Sequence, residues 1–168
     1  MIVDSSDGIT FEPLLESLAA KLVSRDEMLA TAESCTGGWV AKICTDLAGS
    51  SAWFERGFVT YSNQAKQDML GVSADTLADH GAVSEQTVRE MVDGALSRSQ
   101  ARWALAISGI AGPGGGSAGK PVGSVWFGWG GPSGWRRSQL HCFAGDRDAV
   151  RRQAVWQALD GLAARCLE

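Results

Sequence analysis

The feature that most restricts the fold of this chain is an alternation of two patterns along its length. Short apolar runs bounded by glycine or small polar residues alternate with longer segments whose apolar residues recur three and four positions apart. Runs of the first kind read as buried strands and segments of the second as amphipathic helices. Leu14, Leu15, Leu18, Ala19, Leu22 and Val23 predict an N-terminal helix with Pro13 near its start, where a missing N–H costs nothing. Residues 29–32 read as a short strand, and a helix is expected from Thr36 to about Leu47, ended by Gly49-Ser50-Ser51. Residues 57–61 read as a strand, and Ser62-Asn63 supply cap residues for a helix through Leu70. Ser84 is expected to cap a further helix with Val88, Met91, Val92, Ala95 and Leu96 on one face. Residues 103–108, 122–129 and 136–143 are expected strands, and Gly145-Asp146 introduces a last helix carrying Val150, Ala154, Ala158, Leu159 and Leu162. Strands that alternate with helices predict an α/β fold: a three-layer α/β/α sandwich around a central, mostly parallel or mixed sheet. Ligands of such folds gather at the C-terminal ends of the strands.

At 168 residues the chain is expected to form one domain, 1–168, with its core at about 12–162. The net charge of −4 argues against a protein whose main task is gripping nucleic acid. No apolar run approaches the roughly 20 residues needed to span a bilayer, so no membrane partner is expected. The first seven residues, Met1 to Asp7, lack a basic segment followed by an apolar one, and no signal peptide is expected. Cys35, Cys44, Cys142 and Cys166 show no metal-ligand spacing and are accompanied by only two histidines. Neither a metal site nor a disulfide framework follows, and a reducing cytoplasm is the expected location.

Chemistry concentrates in Thr31-Ala32-Glu33-Ser34-Cys35-Thr36-Gly37-Gly38, where an apolar strand runs into small polar residues and a helical pattern opens. Backbone N–H groups at a helix start stabilise anions, and Ser34, Cys35 and Thr36 are three potential nucleophiles there. A second glycine-rich segment, Gly114-Gly115-Gly116-Ser117-Ala118-Gly119-Lys120-Pro121, nearly matches a phosphate-binding loop. That loop requires a hydroxyl after the lysine and a helix behind it, whereas Pro121 and a strand pattern follow here. A glycine loop that cradles a ligand through backbone N–H groups fits better than an ATPase site, with a flexible strand-to-strand connection as the alternative.

A serine hydroxyl needs a base before it attacks a carbonyl. His80 falls in an apparent turn and His141 in an expected strand, so both have structural explanations. Lysine is the other established base for serine. With Asn63 as the helix cap, Lys66 would stand at the third helical position, where the helix dipole disfavours an ammonium and lowers its pKa. Tyr61, the only tyrosine, could hydrogen-bond the same group. A solvent-facing Lys66 and a core-edge Tyr61 are the alternatives at this point.

Several segments, in order and without large gaps, resemble one family. They are Ala32-Glu33-Ser34-Cys35-Thr36-Gly37-Gly38, Gly49-Ser50-Ser51-Ala52-Trp53-Phe54, Val59-Thr60-Tyr61-Ser62-Asn63 with Lys66, Gly81-Ala82-Val83-Ser84, Ser108-Gly109-Ile110-Ala111-Gly112-Pro113, Lys120-Pro121-Val122-Gly123 and Gly145-Asp146-Arg147. The chain is similar to the nicotinamide-nucleotide amidohydrolase family, also known as the C-terminal domain of the competence/damage-inducible protein CinA, in its stand-alone form.

The resemblance implies hydrolysis of the carboxamide of nicotinamide mononucleotide, yielding nicotinic acid mononucleotide and ammonia. It places the nucleophile at Ser34, the lysine base at Lys66 and an assisting tyrosine at Tyr61. Ser108 takes a hydroxyl position where many relatives have threonine, and Arg147 takes the arginine of the Gly-Asp-Arg motif. Substrate contacts are expected from Cys35, Thr36, Gly37, Gly38, Ser108, Gly109, Gly112 and Arg147, with oxyanion donors from the backbone of residues 34–36. No metal or organic cofactor is expected, the partner is a small-molecule substrate, and a homo-oligomer with a dimer favoured is implied. The alternative is a non-catalytic pyridine-nucleotide-binding domain linked to competence or the DNA-damage response.

Overall fold

The computed structural model describes residue 8 and residues 10–168. The expectation for the first seven residues, that they hold no signal peptide, lies outside the described residues. Five strands form one mixed sheet: β1 (Leu29–Glu33), β2 (Phe54–Val59), β3 (Trp103–Gly109), β4 (Ser124–Gly130) and β5 (Arg136–Cys142). Their spatial order is β2-β1-β3-β4-β5, with β2, β1 and β3 parallel and β4 and β5 added antiparallel. Among the described residues six α-helices flank it: α1 (Glu12–Ser24), α2 (Trp39–Asp46), α3 (Asn63–Leu70), α4 (Ala74–His80), α5 (Glu85–Ser97) and α6 (Arg147–Cys166). The result is the expected three-layer α/β/α arrangement.

The two faces of the sheet differ in bulk, and the side-chain alternation of the strands explains why. One face presents Leu29, Trp103, Leu105, Ile107, Val125, Phe127 and Trp129 to α1, α2 and α6. The other presents Ala30, Ala32, Ala104 and Ala106 to α3, α4 and α5. Small side chains let α5 lie close on that face: a Cβ on Gly128 would stand 2.9 Å from the Val88 carbonyl oxygen. On the bulky face the Trp129 indole N–H donates to the Ala158 carbonyl oxygen of α6 at 2.8 Å, so its polar edge is satisfied in the core.

Several boundaries differ from the sequence-based expectation. Helix α2 starts at Trp39 and not at Thr36, because Gly37 (φ +59°) and Gly38 (φ +95°) adopt the left-handed region and interrupt helical geometry. Strand β2 runs from Phe54 to Val59, earlier than residues 57–61. Its charged Glu55 and Arg56 look like loop in sequence, but β2 is an edge strand and keeps both at the half-wet margin. Helix α4 was not expected at all, since Leu77 is its only buried residue. His80 closes that helix and does not sit in a turn.

The small face places α3 against α5 with no spare room. A Cβ on Gly94 of α5 would lie 2.0 Å from the Leu70 carbonyl oxygen and 2.8 Å from its carbon, both backbone atoms of α3. Gly94→Ala is therefore expected to cost about 2 kcal/mol by overpacking, a fall in melting temperature of about 4–8 °C. Thermal unfolding followed by circular dichroism checks this; an unchanged midpoint would contradict the contact.

Candidate active site

The C-terminal ends of the three parallel strands meet at a cleft of about 300 Å³. Strand β1 delivers Ser34, the first residue past its end, and the Ser34 N–H donates to the Ile107 carbonyl oxygen of β3 at 3.0 Å. On the other side, the Thr60 N–H donates to the Glu33 carbonyl oxygen at 2.8 Å, so the end of β2 is tied to the same point. Neighbouring strands thus hold both ends of the peptide that leads into the nucleophile position.

Beyond Ser34 the chain turns sharply. The Gly37 N–H donates to the Ser34 carbonyl oxygen at 3.0 Å and the Trp39 N–H to the Thr36 carbonyl oxygen at 3.1 Å. The fully buried Glu33 carboxylate lies under this turn. It accepts from the Thr36 hydroxyl at 2.8 Å and from the Val40 and Ala41 N–H groups at 2.8 and 3.0 Å. Glu33 is thereby the N-terminal cap of α2, satisfying helix N–H groups that the glycine-rich turn cannot. Sequence reading assigned Glu33 no role. Its signal was a lone carboxylate at the end of an otherwise apolar strand, which requires partners when buried.

Lys66 comes from α3. The helix is capped by Ser62, whose hydroxyl accepts from the Ala65 N–H at 3.0 Å, and not by Asn63. Lys66 therefore stands one position deeper than expected, and burial rather than the helix terminus is what shifts it. Its side chain is 1% exposed. Nζ donates to the Thr60 carbonyl oxygen at 2.8 Å and the Tyr61 carbonyl oxygen at 3.4 Å, and lies 3.0 Å from Ser34 Oγ. Loss of water holds the amine below the ordinary lysine range, with an opposing effect from Cys35 and no carboxylate among the described residues acting on it. An ammonium would donate to all three oxygens. A neutral amine keeps two N–H groups for the carbonyls and turns its lone pair to the serine hydroxyl.

The remaining expected residues divide. Cys35, Tyr61, Ser108, Gly109, Gly112 and Arg147 line the cleft with Ser34 and Lys66. Thr36, Gly37 and Gly38 do not line it: Thr36 is fully buried on Glu33, and positions 37 and 38 face Arg151 and Val59. The Tyr61 hydroxyl is not on the lysine. It accepts from Arg147 Nη2 at 3.2 Å, while Arg147 Nη1 donates to the Gly112 carbonyl oxygen at 2.9 Å. The Tyr61 backbone, not its phenol, reaches Lys66. Burial pushes the Cys35 thiol up to about 11, so it stays protonated at neutral pH and is a poor nucleophile. His141 stacks on Phe143 and meets Phe127 edge-on, and neither it nor His80 lines this cleft. Lys120 donates to the His80 carbonyl oxygen at 2.8 Å, and a strand, not a helix, follows the glycine-rich loop. Among the described residues no cluster of three or more histidine, cysteine, aspartate or glutamate side chains is placed to hold a metal ion, and no helix is long and apolar enough to cross a membrane.

Residues 11–166 match the CinA C-terminal domain family. A curated relative in Escherichia coli strain K12, named nicotinamide-nucleotide amidohydrolase PncC, is 60% identical over 149 residues, covering 89% of this chain and 90% of that protein. A Pseudomonas putida protein of the same name is 56% identical over 135 residues, 80% of this chain and 83% of its own. The crystal structure of competence/damage inducible protein CihA from Agrobacterium tumefaciens matches with a TM-score of 0.92 and 45% identity over 98% of both chains.

Glu33→Ala would strand the Thr36 hydroxyl and two helix N–H groups in the interior. It is expected to destabilise the protein by about 2–3 kcal/mol, with Glu33→Gln costing less because one acceptor remains. Urea unfolding of both variants checks the order; equal losses would contradict the cap.

Proposed function

The chain belongs to the CinA C-terminal domain family, and we propose that it hydrolyses the carboxamide of nicotinamide mononucleotide to nicotinic acid mononucleotide and ammonia by a serine–lysine mechanism. The observation that carries this reading is the 3.0 Å approach of a buried lysine amine to the Ser34 hydroxyl. The shared name of the amidohydrolase relatives supports the substrate class. A cleft of about 300 Å³ lies at the small end of the roughly 300–1,000 Å³ typical of ligand pockets, which favours a mononucleotide over a dinucleotide.

In the proposed reaction Ser34 Oγ attacks the carboxamide carbon while its proton passes to Lys66 Nζ. The tetrahedral oxyanion is received by the backbone N–H of Cys35, which lines the cleft; the Ser34 N–H is already committed to Ile107. Lys66 then returns the proton to the departing nitrogen, which leaves as ammonia, and an ester of the acid nucleotide remains on Ser34. Water attacks that ester with Lys66 again as base, freeing the acid and restoring the hydroxyl. Arg147, at the cleft and at the start of α6, supplies positive charge for the substrate phosphate. Ser108, 1% exposed at the cleft floor, offers a hydroxyl to the pyridine-bearing end.

The test is ammonia release from nicotinamide mononucleotide by wild type beside Ser34→Ala, Lys66→Ala and Cys35→Ala. Ser34→Ala and Lys66→Ala are expected to lose at least about a thousandfold in kcat, and Cys35→Ala to stay within a few-fold. Activity requires the neutral amine, so kcat/KM should rise with pH through the lowered Lys66 pKa and then level. Substrate binding without ammonia release would favour the non-catalytic reading, and release surviving Ser34→Ala would overturn the mechanism.

A further inference from the structure

A charged residue outside the cleft grips the nucleophile turn. Arg151, one helical turn after Arg147 on α6, donates from Nε to the Cys35 carbonyl oxygen at 3.0 Å and from Nη2 to the Thr36 carbonyl oxygen at 3.2 Å. One edge of a single guanidinium thus spans two successive carbonyls. Its plane is steadied by the Trp39 ring, whose centroid lies 5.2 Å from Cζ. Arg151 is not among the residues lining the cleft, and no carboxylate pairs with it among the described contacts.

A trans peptide is planar, and its C=O and N–H point in opposite directions. A Cys35 carbonyl held on Arg151 therefore turns the Thr36 N–H away from α6. The Thr36 carbonyl, held by Arg151 and by the Trp39 N–H, turns the Gly37 N–H inward, where it meets the Ser34 carbonyl oxygen. With the Ser34 carbonyl drawn into the turn, the Cys35 N–H is directed out of it. Each peptide from Ser34 to Gly37 has at least one end fixed, and Arg151 holds two of them. Glu33 holds the same turn from below through its donors and Arg151 holds it from outside through its acceptors.

We infer that Arg151 is a positioning residue for the reaction: by clamping the Cys35 and Thr36 carbonyls it fixes the turn that aims the Cys35 N–H at the oxyanion. The inference rests on the amidohydrolase reading above and adds a residue to it. Oxyanion donors act only when already aimed at the developing charge, and losing one costs about a hundredfold to a thousandfold in rate. A donor left in place but free to turn costs part of that. Lysine cannot replace the clamp fully, since an ammonium is a point donor that neither spans two carbonyls nor stacks on Trp39.

Steady-state kinetics on nicotinamide mononucleotide for wild type, Arg151→Lys and Arg151→Met, with melting temperatures and pH profiles, test the inference. Arg151→Met is expected to lower kcat about ten- to a hundredfold and Arg151→Lys by less. KM should stay within about threefold, and the pH at which the rate half-rises should not move, because Lys66 keeps its own pocket. Unchanged kcat in a variant that is folded but less stable would overturn the inference and reduce Arg151 to a structural role. A raised KM with kcat preserved would overturn it in favour of substrate binding. Should Arg151→Met fail to fold, Arg151→Lys alone decides by the same criteria. A wild type that releases no ammonia would fail the amidohydrolase reading itself, a result distinct from an active wild type matched by its variants.

Discussion

An amine held out of water by two backbone carbonyls and a serine hydroxyl sets the terms for the rest of this structure. Burying a charged group without a counter-charge is costly, and the usual outcome is that the group gives up its charge. Among the described residues no carboxylate acts on Lys66, and it is 1% exposed, so the fold itself presses it toward the neutral form. The elements around it follow from that constraint. Strand β2 must end so that the Thr60 and Tyr61 carbonyls face inward, α3 must begin immediately afterwards at Ser62, and β1 must deliver Ser34 within reach.

A second constraint concerns the turn after β1. Two left-handed glycines let the chain reverse so tightly that α2 starts with exposed N–H groups, and these would be orphaned in the interior. Glu33 supplies the acceptors from inside the strand, and Arg151 supplies donors for the carbonyls on the outer side. The bulky face of the sheet makes this possible by bringing α6 across α2. The small alanine-lined face does the corresponding work for the helix that carries Lys66, letting α3 pack closely against α5.

How much of this could be read in the sequence depended on whether the cause was local. The layered α/β architecture, the strand leading to Ser34 and the capped helix carrying Lys66 all leave short-range patterns, and the pairing of Ser34 with Lys66 emerged once the family motifs were set side by side. The start of α2 was misjudged because the conformation of Gly37 and Gly38 is a turn requirement that composition does not reveal. Helix α4 was invisible because one buried leucine in seven residues carries no periodicity. Tyr61 was given the right neighbourhood and the wrong atom: proximity in sequence to Lys66 says nothing about whether backbone or phenol makes the contact. Glu33 and Arg151 escaped for a related reason, since a charged residue looks solvated until its partners, far along the chain, are known.

Lys66 acts in this scheme as a neutral base, and its own titration is the property to measure. Protein labelled with 13C at lysine Cε, followed by NMR across pH beside a Lys66→Met reference that identifies the resonance, reports the pKa without substrate. A Lys66 signal that titrates below the ordinary lysine value of about 10.4 is the expected result. Titration at or above that value would mean an ammonium rests against Ser34 at neutral pH, and the serine would have no base.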